Sequence, residues 1–163
     1  DMSAGKNNIA CFGSTTRGVI NGGYTGSVIN VIEYITILST GNTTDFGDLS
    51  SVRSGFAGAS SSTRGVVAGG ASPSVVNTME YVTIASTGNA TDLGDLTSAR
   101  GNTKCSASNK TLAIFGGGRT PSDVSTTDRI NIASTGNGTT YGDVLTAGGY
   151  NQSSSSTGHG GLA

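Results

Sequence analysis

The chain has 163 residues, with nine Lys and Arg against ten Asp and Glu, a net charge of −1, and 27 glycines. Because a nearly neutral chain has no overall field to attract polyanions, we expect no nucleic-acid partner. No apolar run approaches the roughly 18 residues of a membrane-spanning helix, so we expect no membrane insertion. The apolar residues are grouped in short runs, which is typical of a protein with many short β-strands.

A unit of 47 residues is repeated along the chain. Two landmarks recur once per copy: the double glycines Gly22-Gly23, Gly69-Gly70 and Gly116-Gly117, and the segments Ser-Thr-Gly-Asn that begin at Ser39, Ser86 and Ser134. The last interval between these segments is 48, so the third copy has one extra residue. A fixed period of this length is the signature of a solenoid, propeller or array. We divide the chain into one array of units 1–47, 48–94 and 95–142, with a partial fourth unit over 143–163.

The two ends of the sequence fall within units. Asp1 aligns with Asp48 and Asp95, and the last residues align with the segment just before a double glycine. We interpret the sequence as a window cut from a longer array.

Each unit contains four predicted strands separated by turn residues. The first is rich in small residues and is expected at 9–13, 56–60 and 103–107. In the second copy the other three are expected at 65–68, 79–85 and 90–96, the third being rich in β-branched residues. The double glycines would permit a tight exit from the second strand or a close approach of the neighbouring unit. Helix is excluded, because glycine recurs too often and no stretch keeps a 3.6-residue period.

The order of these features resembles the kelch repeat. An apolar strand leads to a double glycine and a variable loop, then to a strand with Glu80-Tyr81, and then to a Gly-Asp-Leu segment that runs on to Arg100. The resemblance implies an all-β fold of kelch-like β-propeller blades, each a four-stranded antiparallel sheet, with about 3.5 blades in this sequence. It is incomplete, because the chain has no Trp and the third copy has Arg129 in place of the tyrosine. The expected place of the kelch aromatic residue is taken by Phe46, Leu93 and Tyr141.

A residue pattern within the repeat also resembles arrays in structural proteins of marine and cyanobacterial tailed phages. The pattern is Glu-Tyr-Ile/Val-Thr-Ile, followed by Ser-Thr-Gly-Asn and then by Gly-Asp-Leu. This resemblance implies a virion or extracellular protein of a tail or fibre. Its partners would be other virion proteins, copies of itself or a host-surface glycan.

Recognition is expected in the loops that differ most among the matched copies, at 24–30, 71–77 and 119–126, because variable loops on a rigid scaffold commonly carry binding function. We therefore expect a non-enzymatic structural or adsorption module. One alternative is a cellular kelch-like module that binds a protein partner. The others are an enzyme similar to kelch-type oxidases or sialidases, and a filament-forming array.

Charged residues recur at two positions of the unit. The basic set is Lys6, Arg53 and Arg100, and the acidic set is Glu33, Glu80 and Asp128. A ring of ion pairs within or between units would explain both sets. The alternative is a basic arc that grips an anionic glycan or an acidic loop of a partner.

No residue pattern indicates catalysis, a cofactor or a metal. His159 is the only histidine, and no nucleophile motif accompanies it. The recurring acidic residues are too few for a calcium loop and are expected to serve turns and solvation: Asp45, Asp48, Asp92, Asp95 and Asp143. An Asn-x-Thr motif that matches the N-glycosylation acceptor recurs once per unit, at Asn42, Asn89 and Asn137, and would be coincidental in a protein made in bacteria.

The two cysteines, Cys11 and Cys105, are two periods apart. We expect them to occupy equivalent positions as free, buried or half-buried thiols, because a whole unit separates them and a disulfide needs close approach.

Overall fold

A computed structural model of the chain describes residues 1–103, 105–144 and 155–156, and these residues form an all-β protein without a helix. The strands are β1 (Ala10–Gly13), β2 (Arg17–Tyr24), β3 (Val28–Thr36), β4 (Thr44–Asp48), β5 (Ala57–Ser60), β6 (Arg64–Ala68), β7 (Thr78–Thr83), β8 (Thr91–Asp95), β9 (Cys105–Ser108), β10 (Leu112–Gly116), β11 (Arg119–Thr120), β12 (Ser122–Asp123), β13 (Thr126–Asn131), β14 (Thr139–Asp143) and β15 (Ser155–Ser156). The four strands predicted for each unit are therefore confirmed, with small differences in their bounds. Within the described part of the chain, no helix is present that could cross a membrane.

The strands form three four-stranded antiparallel sheets, one per unit. The first sheet contains β1–β4, the second β5–β8, and the third β9, β10, β13 and β14, each in chain order. The small hairpin β11–β12 follows β10 as a separate two-stranded sheet, and β15 pairs in parallel with β9 at the edge of the third sheet. Neighbouring strands are thus consecutive in sequence, as short connections favour.

The strand register places the extra residue of the third copy differently from the sequence alignment. The first strand pairs Ala10 with Asn21, Ala57 with Ala68 and Cys105 with Gly116 in the three sheets. The step between equivalent residues is therefore 47 from the first sheet to the second, and 48 from the second to the third. Asn8, Gly55 and Asn102 share a positive φ at a step of 47, so the insertion lies between Asn102 and Cys105.

Two expectations from the sequence are corrected by this register. The counterpart of Gly69-Gly70 is Gly117-Gly118, because these pairs share positive φ angles of 71° and 102°, and 65° and 115°. Cys105 aligns with Ala57, so the two cysteines are not equivalent. Cys11 aligns instead with Gly58 and is exposed, contrary to the expectation of a buried thiol.

The sheets stack face to face. We call the side of a sheet that turns toward the preceding unit its leading face, and the opposite side its trailing face. Gly58 and Gly65, on the leading face of the second sheet, lie against Ala10 and Phe12, on the trailing face of the first. Two apolar clusters fill the two interfaces: Val19, Ile32, Phe46, Val67, Val82 and Ile84 between the first pair of sheets, and Val66, Met79, Leu93, Phe115, Ile130 and Ile132 between the second pair.

A β-bulge recurs in the fourth strand of each sheet. The register shifts between Ile32 and Glu33, and correspondingly in the other two sheets. The bulged residues are Phe46, Leu93 and Tyr141, each followed by a glycine with positive φ. Because a bulge redirects a side chain, Phe46 and Leu93 reach the core from an edge strand.

The first strands of successive sheets lie side by side. The Ser60 hydroxyl donates to the Gly13 carbonyl at 3.0 Å, and the Ser106 hydroxyl donates to the Gly58 carbonyl at 2.6 Å. Small residues along these strands permit the close approach that such bonds need. The sheets are therefore joined along their first strands as well as through their faces.

Candidate functional site

Recurring basic residues tie each sheet to the segment that precedes it. The Arg53 carbonyl accepts a hydrogen bond from the Gly23 amide of the first sheet. The Arg53 guanidinium enters the second sheet and pairs with Glu80. Its Nη1 also donates to the carbonyls of Gly69 and Thr78, at 3.3 and 3.1 Å. One residue thus links two units through both its backbone and its side chain.

The same arrangement is repeated in the third sheet. The Arg100 carbonyl accepts a hydrogen bond from the Gly70 amide. The Arg100 Nη2 donates to the Asp128 carboxylate at 2.8 Å and to the Phe115 carbonyl at 3.2 Å. Lys6 pairs with Glu33 in the first sheet. The predicted ion pairs between the two recurring sets of charged residues are therefore formed in all three sheets.

All three ion pairs are buried, which excludes the alternative basic arc as a site for an external anion. Burial lowers the pKa of Arg53, and the Glu80 charge opposes this shift. Burial lowers the pKa of Arg100 in the same way against Asp128. For Glu33, burial would raise the pKa, but hydrogen bonds from Lys6 and Ser3 and the Lys6 charge hold the pKa below its usual value.

One arginine in each of the first two sheets reaches across the interface to the next sheet. Arg17 stacks over the Tyr34 ring at 4.4 Å and donates to the Ile84 carbonyl at 2.9 Å. The equivalent Arg64 stacks over the Tyr81 ring at 3.9 Å and donates to the Ile132 carbonyl at 3.1 Å. These cation–π stacks therefore hold each guanidinium against a carbonyl of the next sheet.

The Ser-Thr-Gly-Asn segments form a third link. Asn89 Oδ1 accepts a bond from the Asp48 amide at 3.0 Å, and the Ala90 amide donates to the Asp48 carbonyl at 2.8 Å. Asn137 and Gly138 bind Asp95 in the same way, at 3.0 and 2.8 Å. The turns that match the N-glycosylation acceptor therefore also form hydrogen bonds to the outer strand of the preceding sheet. We call this pair of bonds the asparagine clamp.

The loops of these linked sheets form a groove. Its cavity volume is about 460 Å³, within the range of small-ligand sites. It lies where the variable loop of the second unit meets that of the third, and it is lined by Ser54, Ala71, Ser74, Val75, Gly101, Asn102, Arg119, Thr120 and Pro121. Two of the three loops predicted for recognition therefore contribute to a common groove.

Backbone pairing fixes the two walls of this groove. Ser54 bridges to Ala71, and Gly101 bridges to Arg119, so each variable loop is anchored to the segment that precedes its sheet. The Arg119 Nε donates to the Pro121 carbonyl at 2.9 Å, which orients its side chain within the β11–β12 hairpin. The apolar part of the lining is Ala71, Val75 and Pro121, and the remaining lining residues supply hydroxyl, amide and guanidinium groups.

The first unit builds its loop differently. There β2 and β3 continue as a hairpin, with Tyr24 opposite Val28 and the Tyr24 ring exposed. Its loop, at 24–30, does not line the groove. Sequence reasoning missed the other wall residues, Ser54, Gly101 and Asn102, because they precede the sheets and have no variable or chemical signature.

Other candidates from the sequence are placed as follows. His159 lies outside the described residues. Among the described residues, no three His, Cys, Asp or Glu side chains are grouped as a metal site would require. Asp45 and Asp92 are exposed on the outer strands.

No protein-family model matches the chain, and no curated protein matches it significantly.

Proposed function

We propose that the chain forms part of a kelch-like β-propeller and acts as a non-enzymatic recognition and structural module of a phage virion or appendage. The groove between the loops of the second and third units would bind a host-surface glycan, or a loop of another virion protein. The observation that carries this proposal is the position of the groove, between two variable loops that rest on an extensively linked scaffold.

Three features support the propeller. The repeat has the length of one blade, each unit is one four-stranded meander, and the first strands of successive sheets are adjacent, as they are around a propeller axis. The links between sheets support a rigid role for the scaffold, because buried ion pairs, cation–π stacks and asparagine clamps recur at equivalent positions. Rigid scaffolds let loops bind without a large ordering cost.

The lining of the groove suits a saccharide. The apolar lining residues can contact the face of a sugar ring, while the Ser74, Asn102 and Thr120 side chains can form hydrogen bonds with its hydroxyls. The Arg119 guanidinium adds a fixed cation at the rim. Among the described residues, the lining has serine and threonine hydroxyls but no His, Asp, Glu, Lys or Cys side chain that could activate them, which favours binding over catalysis.

A polysaccharide panel tests this function. The full chain is applied to immobilised lipopolysaccharide O-chains, capsular polysaccharides and peptidoglycan fragments, together with Ser74→Trp, which fills the groove. The matched control is Ser27→Trp, at the same phase in the loop of the first unit. We expect the wild-type chain and Ser27→Trp to bind one saccharide class and Ser74→Trp to lose it. Equal binding by all three proteins, or no binding by any, would contradict the proposal.

A further inference from the structure

Asparagine followed by glycine occurs twice in the chain, at Asn21-Gly22 and at Asn137-Gly138. This dipeptide is prone to deamidation, because glycine has no Cβ to hinder attack of its backbone nitrogen on the asparagine side chain. The nitrogen loses its proton to solvent and bonds to Cγ, ammonia leaves, and a five-membered succinimide forms. Water then opens the ring to aspartate or to isoaspartate, so the net change is the exchange of ammonia for water.

The two dipeptides have different surroundings. Asn21 is 1% exposed, and its Nδ2 donates to the Ala10 carbonyl at 3.2 Å. A Cβ on Gly22 would lie 2.8 Å from the Phe56 ring, so this dipeptide is packed between the first and second sheets. Asn137 is exposed. The fold therefore encloses the first dipeptide and leaves the second accessible to water.

The exposure of Asn137 is a property of the turn that contains it. Its equivalent Asn89 is also exposed, although the first and third sheets pack on either side of the unit that contains it. Ala90 follows Asn89, so the second unit has the same clamp without the glycine. The chain thus contains one clamped Asn-Gly, one clamped Asn-Ala and one buried Asn-Gly.

The asparagine clamp engages both groups that must react. The Gly138 amide, which is the nucleophile, donates to the Asp95 carbonyl at 2.8 Å. The Asn137 Oδ1, on the carbon that is attacked, accepts from the Asp95 amide at 3.0 Å. Because the nitrogen must give up its proton and the side chain must turn toward it, we expect the reaction to require opening of the clamp.

Isoaspartate at this position is incompatible with the clamp. In isoaspartate the main chain runs through Cβ and Cγ, so the former side-chain oxygen and the Gly138 N–H belong to one peptide group. The N–H and C=O of a trans peptide point in opposite directions, so they cannot both bind Asp95. Aspartate, the other product, keeps an acceptor oxygen in the same place.

We propose that Asn137 is the deamidation site of the folded protein, and that opening of its asparagine clamp sets the rate. The isoaspartate that forms there releases the end of β8, at Asp95, from the turn of the third unit. Local opening of this kind costs less free energy than global unfolding, so the site reacts while the rest of the chain stays folded.

Two matched glycine substitutions test the role of the clamp. A Cβ on Gly94 would lie 2.5 Å from the Gly136 oxygen, and one on the equivalent Gly47 would overlap the turn of Asn89 in the same way. The full chain and both variants are incubated at neutral pH, and peptide mapping by mass spectrometry follows each asparagine. We expect Gly94→Ala to accelerate deamidation of Asn137 by about tenfold or more, and Gly47→Ala to leave it unchanged.

Gly138→Ala is the control for the chemistry. A Cβ there makes only ordinary contacts, the nearest at 3.5 Å, and the variant reproduces the Asn-Ala sequence of the second unit. It should suppress the reaction at Asn137. In the folded wild type Asn21 and Asn89 should stay unmodified, whereas in the urea-unfolded chain Asn21 should react at a rate comparable to that of Asn137.

Three results would overturn the proposal. Equal acceleration at Asn137 by Gly47→Ala and Gly94→Ala would mean that global unfolding sets the rate. A rate in the folded wild type equal to that in urea would mean that the clamp gives no protection. An Asn137 that stays unmodified in Gly94→Ala would mean that clamp opening does not lead to reaction. Thermal unfolding verifies that the variants fold.

The wild type alone supplies a second test. The Gly138 amide must leave the Asp95 carbonyl both to exchange its hydrogen and to react. Urea concentrations below the unfolding transition should therefore raise the hydrogen-exchange rate of this amide and the deamidation rate of Asn137 by the same factor. A deamidation rate that does not follow hydrogen exchange would contradict control by the clamp.

Discussion

The Phe12 ring of the first sheet lies directly over Gly65 of the second, at a point where a Cβ on Gly65 would overlap the ring. At the next interface the equivalent residues are Ala59 and Ala113, and both are buried. The phenylalanine–glycine pair of the first interface is thus replaced by an alanine–alanine pair at the second interface. The two interfaces are filled by different pairs of side chains on the same backbone arrangement, as close packing of interiors requires.

Gly65→Ala should destabilise the protein by about 1–3 kcal/mol, because the new methyl group overpacks the interface. Adding Phe12→Ala recreates the alanine pair of the second interface, so the double variant should cost less than the sum of the single variants. Urea unfolding of the four proteins in a double-mutant cycle measures this coupling. Gly18→Ala is the control, since only the flexible Ile35 side chain lies near its Cβ position, at 3.3 Å. Strictly additive costs would contradict the contact.

Removing one member of a buried ion pair should be costly. Glu80→Gln leaves the Arg53 guanidinium buried without its counter-charge, and we expect a loss of about 3–5 kcal/mol in the free energy of unfolding. Arg129→Gln changes a guanidinium on an exposed side chain and should alter stability by less than about 0.5 kcal/mol. Chemical denaturation compares the two variants. A similar small effect from both would mean that the pair between Arg53 and Glu80 is not formed.

Stability should fall in acid through Glu33. Its pKa is lowered in the folded protein, so the carboxylate binds fewer protons there than in the unfolded chain. The stabilisation is fully present above the unfolded value of about 4.3 and is lost as the pH falls through the folded pKa. Glu33→Gln should reduce stability at neutral pH and flatten this acid limb. Melting temperatures measured between neutral pH and strong acid test it, and an unchanged slope in the variant would refute the assignment.

The asparagine clamp should protect the amide of the preceding strand. Asn89→Ala removes the acceptor for the Asp48 amide, with an expected cost of about 1 kcal/mol. Hydrogen exchange of the Asp48 amide should become faster, while Thr87→Ala, in the same turn, should leave it unchanged. Equal protection in both variants would show that the Asn89 side chain does not hold the strand.

Much of the fold follows from the sequence, because glycines, turn residues and β-branched runs act locally. The four strands per unit and the ion pairs between the recurring charges, such as Arg53 and Glu80, were predictable from phase alone. The position of the extra residue in the third unit was not predictable from the sequence. Three consecutive glycines begin at Gly116, and only their backbone angles identify Gly117-Gly118 as the counterpart of the earlier pairs.

The candidate groove was predictable only in part. Variation among copies indicated the loops that contain Ser74 and Arg119, since they differ in composition. It could not indicate which loops face each other, because that depends on the stacking of the sheets. Nor could it indicate Asn102, whose role follows from its position at the junction of two units.

The most direct test of this account is a heteronuclear NMR titration of the full chain with the polysaccharide class that binds in the panel. We expect the perturbed backbone amides to cluster at Ser54, Ala71, Gly101, Arg119 and Thr120, with no perturbation at Asn7 and Tyr24, the equivalent pair in the first unit. Perturbations spread over the sheet faces, or centred on the loop of the first unit, would contradict it.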